Sequence, residues 1–214
     1  MIKKCYSSYN NDKKNVYPTI ITFFTDNWNY KKYSMELIDK CNELKLNYYV
    51  EERVNNRDYL VNTRTKPTFI ASALENIQED SNGVLWIDGD GILSDLPIFF
   101  KNFKYEFAAK KMDKSRDRTW HVGTLYLKNN LKIKKLVQEW IIYTERGNVS
   151  DEYGLDLLWR SGYFKNNNIS FAEDIPKSYF NLLTRKNSSI GNAVISHRIS
   201  EDPVKMQQKK NKMF

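Results

Sequence analysis

The chain has 214 residues, which suffices for a single domain that buries a core without disulfides or a structural metal. Its two cysteines, Cys5 and Cys41, lie far apart and form no CxxC pattern, which argues against a zinc site and a disulfide framework and favours a reducing, cytoplasmic location. No segment of the sequence is apolar over the length of a membrane span. The net charge of +8 is a nonspecific sign of nucleic-acid binding, and without a recognisable binding motif we expect no nucleic-acid partner.

Both ends of the chain are polar and rich in lysine. We interpret residues 1–15 as a polar leader and residues 204–214 as a flexible basic tail, with a single domain between them. Much of the positive charge lies in these two segments, where lysines are usually solvated. A basic surface would also suit an anionic small substrate such as a nucleotide diphosphate.

The first half of the chain alternates strand and helix patterns. Pro18 to Thr25 is rich in β-branched and aromatic residues and predicts a strand, and apolar residues at helical spacing from Met35 to Leu44 predict a helix. Leu46 to Val50 predicts a second strand. After a long polar connection, Lys66-Pro67 is expected to open a second helix. This alternation predicts an α/β fold with a central, mostly parallel sheet flanked by helices.

The second half is less regular. Strands are predicted at residues 105–109, 119–127, 169–172 and 193–197, and a helix is predicted from Leu131 to Ile141. Ser150 is a good N-cap for a further helix, and the acids Asp151 and Glu152 would stabilise its first turn. A purely structural role for these two acids therefore stays open.

Val84 to Ile87 predicts a short strand buried on both faces, and Asp88-Gly89-Asp90-Gly91 follows it at once. In an extended backbone, carboxylates two residues apart point the same way, and they repel each other unless a cation lies between them. Oxygen ligands at the carboxyl end of a buried strand suit Mg²⁺ or Mn²⁺ bound together with a phosphate. The alternative is an ordinary polar turn, in which Asp and Gly are common.

The order of these motifs resembles the GT-A fold of nucleotide-diphospho-sugar glycosyltransferases, a single Rossmann-like domain. The motifs that carry the resemblance are, in chain order, a first strand with a polar loop, Arg64-x-Lys66, the Asp-x-Asp run, Trp120-His121-x-Gly123-Thr124, Ser150-Asp151-Glu152 and a late His197. The size and the Val-Leu-Trp-Ile-Asp-Gly-Asp run most resemble the small glycosyltransferases of chlorella viruses, which modify viral glycoproteins. The resemblance spans Pro18 to Pro203.

The resemblance implies an enzyme that moves a sugar from a nucleotide-diphosphate donor, a UDP-sugar in the first place, to a glycan or glycoprotein acceptor, in the host cytoplasm if viral. It implies Mn²⁺ or Mg²⁺ as cofactor, with Asp88, Asp90 and His197 as ligands. The implied nucleotide contacts are Thr25, Asp26, Tyr30, Arg64, Lys66 and Asp88. The implied donor-sugar and acceptor contacts are Trp120, His121 and Gly123. Asp151, with Glu152 second, is the implied catalytic carboxylate. The late His-x-x-Gly-x-x-Lys signature of some retaining members is absent, because His197 is followed by Arg198-Ile199-Ser200.

Two other functions compete with this one. The Asp-x-Asp-Gly-Ile-Leu run also resembles the nucleophile motif of haloacid-dehalogenase-type, Mg-dependent phosphatases. In such an enzyme Asp88 would be the nucleophile, Asp90 the acid/base, and Glu173-Asp174 later Mg²⁺ ligands. That motif normally opens the first strand of its domain, whereas here two strand-helix units precede it. A non-catalytic basic module that binds nucleotide or nucleic acid is the third hypothesis.

Overall fold

The structure of the protein is a computed structural model that describes residues 2–8, 16–26, 29–77, 82–112, 119–183 and 191–198. The strands in these ranges are Ile2–Ser8 (β1), Thr19–Thr25 (β2), Tyr48–Arg53 (β3), Val84–Ile87 (β4), Gly91–Leu93 (β5), Phe107–Lys111 (β6), Trp120–Leu127 (β7), Asn181–Leu183 (β8) and Ile195–Arg198 (β9). The helices are Tyr30–Glu43 (α1), Tyr59–Asn76 (α2), Leu131–Arg146 (α3), Asp151–Arg160 (α4) and Tyr163–Asn166 (α5), with short 3₁₀ turns at Ile98–Phe100 and Lys177–Tyr179.

A six-stranded sheet in the order β1-β3-β2-β4-β7-β6 lies at the centre of the described part of the chain. Strand β2 pairs in parallel with β3 and β4, whereas the outer pairs β1–β3, β4–β7 and β6–β7 are antiparallel. Strands β2, β3, β4 and β6 therefore run in one direction, and β1 and β7 run in the other. The predicted α/β fold with a mostly parallel sheet flanked by helices is confirmed.

Successive residues of the central strands face two separate cores. Ile21 and Trp86 belong to a core completed by α2, α3 and α4, whereas Ile20 and Leu85 belong to a core on the other face, which α1 and a second sheet complete. All residues of β4 are buried, as its continuous apolar run predicts. Because β4 lies in the middle of the sheet, the polar residues after it emerge at the carboxyl edge of the parallel strands.

The second sheet positions the late histidine. It has the strand order β5-β9-β8, and within the described residues β9 pairs antiparallel with β5 and parallel with β8. In this pairing Gly91 lies opposite His197. The backbone N–H of Arg198 also donates to the carbonyl of Asp90 at 3.2 Å. The second sheet thereby brings the predicted late metal ligand beside the Asp-x-Asp run.

Within residues 1–15, the predicted polar leader, Ile2–Ser8 form the edge strand β1. This strand pairs antiparallel with β3, from Ile2 opposite Arg53 to Ser8 opposite Tyr48. Most of its side chains are exposed, so the apolar alternation that indicates a half-buried strand is absent. Backbone pairing at the sheet edge, which composition does not encode, holds it in place. Residues 9–15 and the predicted flexible tail at residues 204–214 lie outside the described residues.

Helix α2 begins at Tyr59, well before the predicted start at Lys66-Pro67. The Asp58 carboxylate caps it by accepting the backbone N–H groups of Leu60 and Val61 at 2.7 and 3.2 Å. Pro67 lies inside the helix, where its missing N–H forgoes one backbone bond. The prediction used the preference of proline for the first turn, and the packing of the helix against the sheet overrides that preference.

Most other predicted elements are present with shifted ends. Helix α3 continues to Arg146, and the strands near residues 46, 105 and 193 begin two residues later than predicted, at Tyr48, Phe107 and Ile195. The strand expected at residues 169–172 is reduced to a single bridge between Phe171 and Phe107. Element ends depend on the partner strand or helix, so they are the least local part of a sequence-based prediction.

Candidate active site

Three possible metal ligands meet where the two sheets join. Asp88 directly follows β4, Asp90 directly precedes β5, and His197 lies on β9 opposite Gly91. Each of the three side chains offers a ligand atom, and these atoms all lie within 4.8 Å of one another. Within the described residues, Asp88, Asp90 and His197 form a group of side chains that could hold a metal ion. The metal ligands implied by the sequence are therefore brought together.

A buried lysine on α2 neutralises part of this acidic group. The Lys66 Nζ lies 2.8 Å from Oδ1 of Asp88 and 2.6 Å from Oδ2 of Asp151, and it donates to the Val122 carbonyl at 3.2 Å. Only 7% of the Lys66 side chain is exposed. These contacts are two ion pairs and one hydrogen bond. Lys66 thus ties the end of β4 to the first turn of α4.

The Asp88 carboxylate is held in its ionised form. Its Oδ1 accepts the indole N–H of Trp86 at 2.8 Å in addition to the Lys66 contact. Burial is the largest influence and by itself would raise the pKa of Asp88, but the nearby positive charge, chiefly that of Lys66, and the hydrogen bonds from Lys66 and Trp86 together outweigh burial and lower the pKa below its ordinary value. For Lys66, burial opposes the charge, and the carboxylates of Asp151 and Asp88 nevertheless raise its pKa. The carboxylate of Asp88 is thereby oriented through one oxygen.

The donor set fits a divalent cation. Asp88, Asp90 and Asp151 carry three negative charges against the one positive charge of Lys66, so two negative charges are left in the cluster. Carboxylate oxygens with one imidazole nitrogen are ligands that suit Mn²⁺ and related ions. The His197 Nδ1 lies 3.9 Å from Oδ1 of Asp90, and only 4% of the histidine side chain is exposed. A single divalent ion would balance the two charges.

The residues implied for the nucleotide lie on the same edge of the sheet or near it. Thr25 ends β2 and is buried, and Asp26 directly follows it in an ion pair with Lys3 of β1. Tyr30 begins α1. A Cβ at Gly89 would lie 3.1 Å from the carbonyl oxygen of Phe23 and 3.7 Å from Cδ1 of the Tyr30 ring. The Arg64 guanidinium donates to the carbonyls of Val149, at 3.0 Å, and Asn148.

The nucleotide contacts predicted from the sequence differ in how accessible they are. Thr25, Asp26 and Tyr30 lie at or just after the carboxyl end of β2, where they would contact a ligand bound at that edge of the sheet. The Arg64 guanidinium is bonded to the loop that leads into α4, and the Lys66 ammonium contacts Val122, Asp88 and Asp151. A phosphate oxygen bound by either side chain would replace one of these contacts. The phosphate contacts of Arg64 and Lys66 stay predictions.

The residues implied for the sugar and acceptor differ in accessibility. Trp120 is 2% exposed and packs edge-on against Phe107 and Trp159, so its side chain is part of the core. His121 is half-buried; its Nδ1 accepts the backbone N–H of Gly123 at 3.1 Å. A Cβ at Gly123 would lie 3.1 and 3.2 Å from the rings of His121 and His197, so the glycine lets both imidazoles approach the end of β7.

The two acids implied for catalysis begin α4. Ser150 caps this helix by accepting the backbone N–H of Tyr153, as predicted. Asp151 is 4% exposed, and its carbonyl accepts the indole N–H of Trp140 at 2.7 Å. Glu152 is half-buried. Asp151 is thus connected to the metal site through Lys66, and its role as the catalytic carboxylate stays a prediction.

The phosphatase alternative is not favoured. Asp174, one of its later Mg²⁺ ligands, forms an ion pair with Lys110 and accepts the backbone N–H of Lys111 at 2.8 Å, both on β6. Among the described residues, the three-membered ligand group contains His197 and neither Glu173 nor Asp174.

The contact between Thr124 and His197 was not predicted from the sequence. Thr124 is fully buried on β7, and its Oγ1 lies 2.8 Å from Nε2 of His197. The signal was present, because a hydroxyl in an otherwise apolar buried strand needs a hydrogen-bond partner. The identity of that partner depends on β9, which is far away in sequence.

Comparisons with known proteins agree on the fold. No protein-family model and no curated protein sequence matches the chain. A solved structure described as a glycosyltransferase involved in the glycosylation of the major capsid of PBCV-1 matches with a TM-score of 0.64 and 12% identity, over 92% of this chain and 100% of that one.

Two larger proteins match over part of their length. The apo form of the glycosyltransferase GlyE of Streptococcus pneumoniae TIGR4 has a TM-score of 0.57 and 16% identity, over 87% of this chain and 55% of that one. The bifunctional glycosyltransferase WbbM has a TM-score of 0.52 and 12% identity, over 91% and 47%. This chain therefore spans about half the length of these two. At such identities the likeness concerns the fold, and the chain has the GT-A fold that its sequence resembles.

None of the helices in the described ranges is both long enough and apolar enough to cross a bilayer.

Proposed function

We propose that this chain is a divalent-metal-dependent glycosyltransferase that takes its sugar from a nucleotide-diphosphate donor. The observation that carries the proposal is the group of Asp88, Asp90 and His197, whose ligand atoms lie within 4.8 Å of one another at the carboxyl edge of the central sheet. In open α/β sheets this edge is where ligands bind. The GT-A fold, shared with the solved glycosyltransferases, supports the assignment of the group to a sugar-nucleotide diphosphate.

Asp88, Asp90 and His197 would hold the cation, for which Mn²⁺ is the first choice and Mg²⁺ the second. When bound, the cation supplies positive charge to the diphosphate leaving group. The contribution of Lys66 is to keep Asp88 ionised and oriented through Oδ1.

We assign the nucleotide to the ends of β2 and β4. Thr25, Asp26 and Tyr30 would contact the base and ribose, with UDP as the first nucleotide to test, and Arg64 and Lys66 would contact the phosphates. Asp88 would reach both the ribose and the cation. Support for this placement comes from the position of Thr25 and Asp88 at the ends of two neighbouring parallel strands.

We assign the sugar and acceptor to the side of β7 and α4. His121 and Gly123 would border the donor sugar, with Trp120 behind them, and Asp151 or Glu152 would act on the acceptor hydroxyl or hold sugar hydroxyls. The solved structure with full coverage is described as acting in glycosylation of a viral capsid. By analogy, we propose a glycan or glycoprotein as the acceptor, of viral origin, modified in the cytoplasm.

The first experiment measures UDP binding by calorimetry with and without Mn²⁺. We expect tight binding only with both present, and a loss of at least about tenfold in affinity for Asp90→Asn. Asp95→Asn is the matched control, because Asp95 is exposed and its carboxylate accepts the adjacent backbone N–H of Leu96. UDP binding that is indifferent to Mn²⁺ and to Asp90→Asn would contradict the proposal.

The second experiment identifies the donor. A panel of UDP- and GDP-sugars is incubated with protein and Mn²⁺, and release of the free nucleotide diphosphate is measured without an acceptor. We expect slow, metal-dependent hydrolysis of one donor class, abolished by Asp90→Asn and retained by Asp95→Asn. Hydrolysis of a generic aryl phosphate, with no turnover of any sugar nucleotide, would favour the phosphatase instead.

A further inference from the structure

The imidazole of His197 is enclosed on several sides. The side chain is 4% exposed, and the Phe180 ring centroid lies 4.9 Å from its own at an angle of 37°. Cβ atoms built at Gly123 and Gly91 would lie 3.2 and 3.7 Å from its Cε1. The ring therefore has little freedom, and its two nitrogens face different partners.

Those partners are of different chemical kinds. Nε2 lies 2.8 Å from the hydroxyl oxygen of Thr124, which is a normal hydrogen-bond distance. Nδ1 lies 3.9 Å from Oδ1 of Asp90, which is too long for a hydrogen bond. Two ligand atoms that each lie about 2.2 Å from one cation are at most about 4.4 Å apart, so the distance between Nδ1 and Oδ1 allows both atoms to bind the same cation.

The requirement of a metal ligand then decides the position of the proton. A histidine binds a cation through an unprotonated nitrogen, and a neutral imidazole carries its one proton on the other nitrogen. If Nδ1 faces the cation, the proton is on Nε2, and the Thr124 hydroxyl is placed to accept it. Without that acceptor, the nearby Asp90 carboxylate would favour a proton on Nδ1, where it blocks ligation.

We propose that Thr124 is a positioning residue of the metal site, whose hydroxyl accepts the Nε2 proton of His197 and so directs the unprotonated Nδ1 to the cation held by Asp88 and Asp90. This inference rests on the metal site of the proposed function. Thr124 suits the role because it is fully buried and lies on β7, where it pairs with Ile87 at the end of β4. The strand that leads into the Asp-x-Asp run and the strand that carries the hydroxyl are therefore held in register.

The tautomer can be observed directly in the unmodified protein. Side-chain ¹⁵N resonances of histidine distinguish the protonated from the unprotonated nitrogen, and the chain has only two histidines, so His121→Gln assigns the spectrum. In the metal-free protein at about pH 8.5, we expect the neutral form of His197 to carry its proton on Nε2, beside the Thr124 hydroxyl. Addition of diamagnetic Zn²⁺ should shift Nδ1 and leave Nε2 protonated. A proton on Nδ1, or a Zn²⁺ shift at Nε2, would overturn the proposal.

The variants test the function of the hydroxyl. Thr124→Val keeps the branched shape and removes the acceptor, whereas Thr124→Ser keeps the acceptor and removes only a methyl group. Calorimetric titration with Mn²⁺ alone should show roughly tenfold or greater weakening for Thr124→Val and a change within about threefold for Thr124→Ser. The Thr124→Val spectrum should show His197 with the proton partly on Nδ1 and His121 unchanged.

The outcomes separate this inference from the proposed function. If the wild-type protein binds no Mn²⁺ even with UDP, the metal site itself fails. If it binds Mn²⁺ and Thr124→Val binds equally well, only the role of Thr124 is wrong. Should Thr124→Val fail to fold by circular dichroism, the wild-type tautomer and the Zn²⁺ shift still decide the question.

Discussion

Lys66 is the residue on which the arrangement of the candidate site most depends. Its ammonium group contacts the carboxylate that directly follows β4, the carboxylate that begins α4 and a carbonyl of β7, so one side chain joins three elements. The side chain also passes the Trp86 ring, with Nζ 5.1 Å from the ring centroid. Because Lys66 and Asp151 are both almost fully buried, their charges are screened little by solvent.

Replacement of Lys66 by methionine should destabilise the protein strongly. The change keeps much of the side-chain volume and leaves the Asp88 and Asp151 carboxylates without their buried cation, for which we expect a loss of roughly 3 kcal/mol in the free energy of unfolding. Urea unfolding followed by circular dichroism measures the loss.

Lys40→Met is the matched control for this substitution. Lys40 lies on α1 and forms an exposed ion pair with Glu43, so its loss should cost no more than about 1 kcal/mol. Equal costs for the two substitutions would show that the Lys66 pairs contribute no more than a surface ion pair.

The pKa of Asp88 predicts how the stability of the metal-free protein depends on acid. Burial opposes ionisation, but nearby positive charge, chiefly that of Lys66, together with the hydrogen bonds from Lys66 and Trp86 keeps the pKa in the folded state below its unfolded value of about 3.9. The stabilisation is therefore complete above about pH 3.9 and is lost as the pH falls below it toward the folded-state pKa. The free energy of unfolding, measured with urea from about pH 2 to 7, should fall less steeply in acid for Asp88→Asn than for the wild type. Parallel acid limbs for the two proteins would contradict the prediction.

At the scale of elements, the contact between α3 and α4 decides where Asp151 lies. Gly154 of α4 faces Thr144 of α3, and a Cβ at Gly154 would lie 2.1 Å from the Thr144 Oγ1 and 3.0 Å from its Cα. The second distance involves backbone, which a rotamer change cannot relieve. The glycine thus permits the close crossing that brings the first turn of α4 to Lys66.

Gly154→Ala should therefore destabilise the protein by about 1–3 kcal/mol, although alanine is the better helix former by about 1 kcal/mol. Thermal and urea unfolding measure the change. Tyr153→Ala, at the exposed position beside it, should change stability by no more than about 0.5 kcal/mol. A stabilised Gly154→Ala protein would mean that helix propensity outweighs the contact with Thr144.

At the scale of the whole molecule, the two cores on opposite faces of the central sheet should open together. They share the sheet strands, whose alternate residues contribute to each core. Cys41 of α1 is fully buried in one of them, and burial raises the pKa of its thiol to about 12. Cys5, on the edge strand β1, is exposed.

Thiol labelling should therefore report global unfolding. At neutral pH we expect a disulfide reagent to modify Cys5 in the folded protein, and Cys41 only in proportion to the unfolded fraction, because a buried thiol with a high pKa supplies little thiolate. Labelling of Cys5→Ser across a urea series measures Cys41 alone and should follow the circular dichroism transition. Labelling of Cys41 before that transition would show that the core under α1 opens separately.

The sequence by itself determined the features that local chemistry encodes. The apolar run from Val84 to Ile87 predicted a strand buried on both faces, and the carboxylates of Asp88 and Asp90 directly after it predicted a cation site. The cap at Ser150 was likewise correct, because a cap depends on residues within one turn. The order of the strand and helix patterns was enough for the α/β fold.

Tertiary structure alone decided which distant side chains meet. Strand β1 was not predicted, because a strand held by edge pairing with β3 needs no apolar pattern. The start of α2 was predicted too late, because packing of the helix outweighs the preference of Pro67 for a first turn. The Thr124 and His197 side chains are 73 positions apart, and Lys66 and Val122 are 56 apart. Hydrogen bonds over such separations depend on the register of strands in two sheets, which no local pattern encodes. The Asp-x-Asp run and the place of Lys66 at the site could therefore be found in the sequence, whereas the carboxylates that Lys66 contacts and the histidine that Thr124 contacts could be found only in the folded chain.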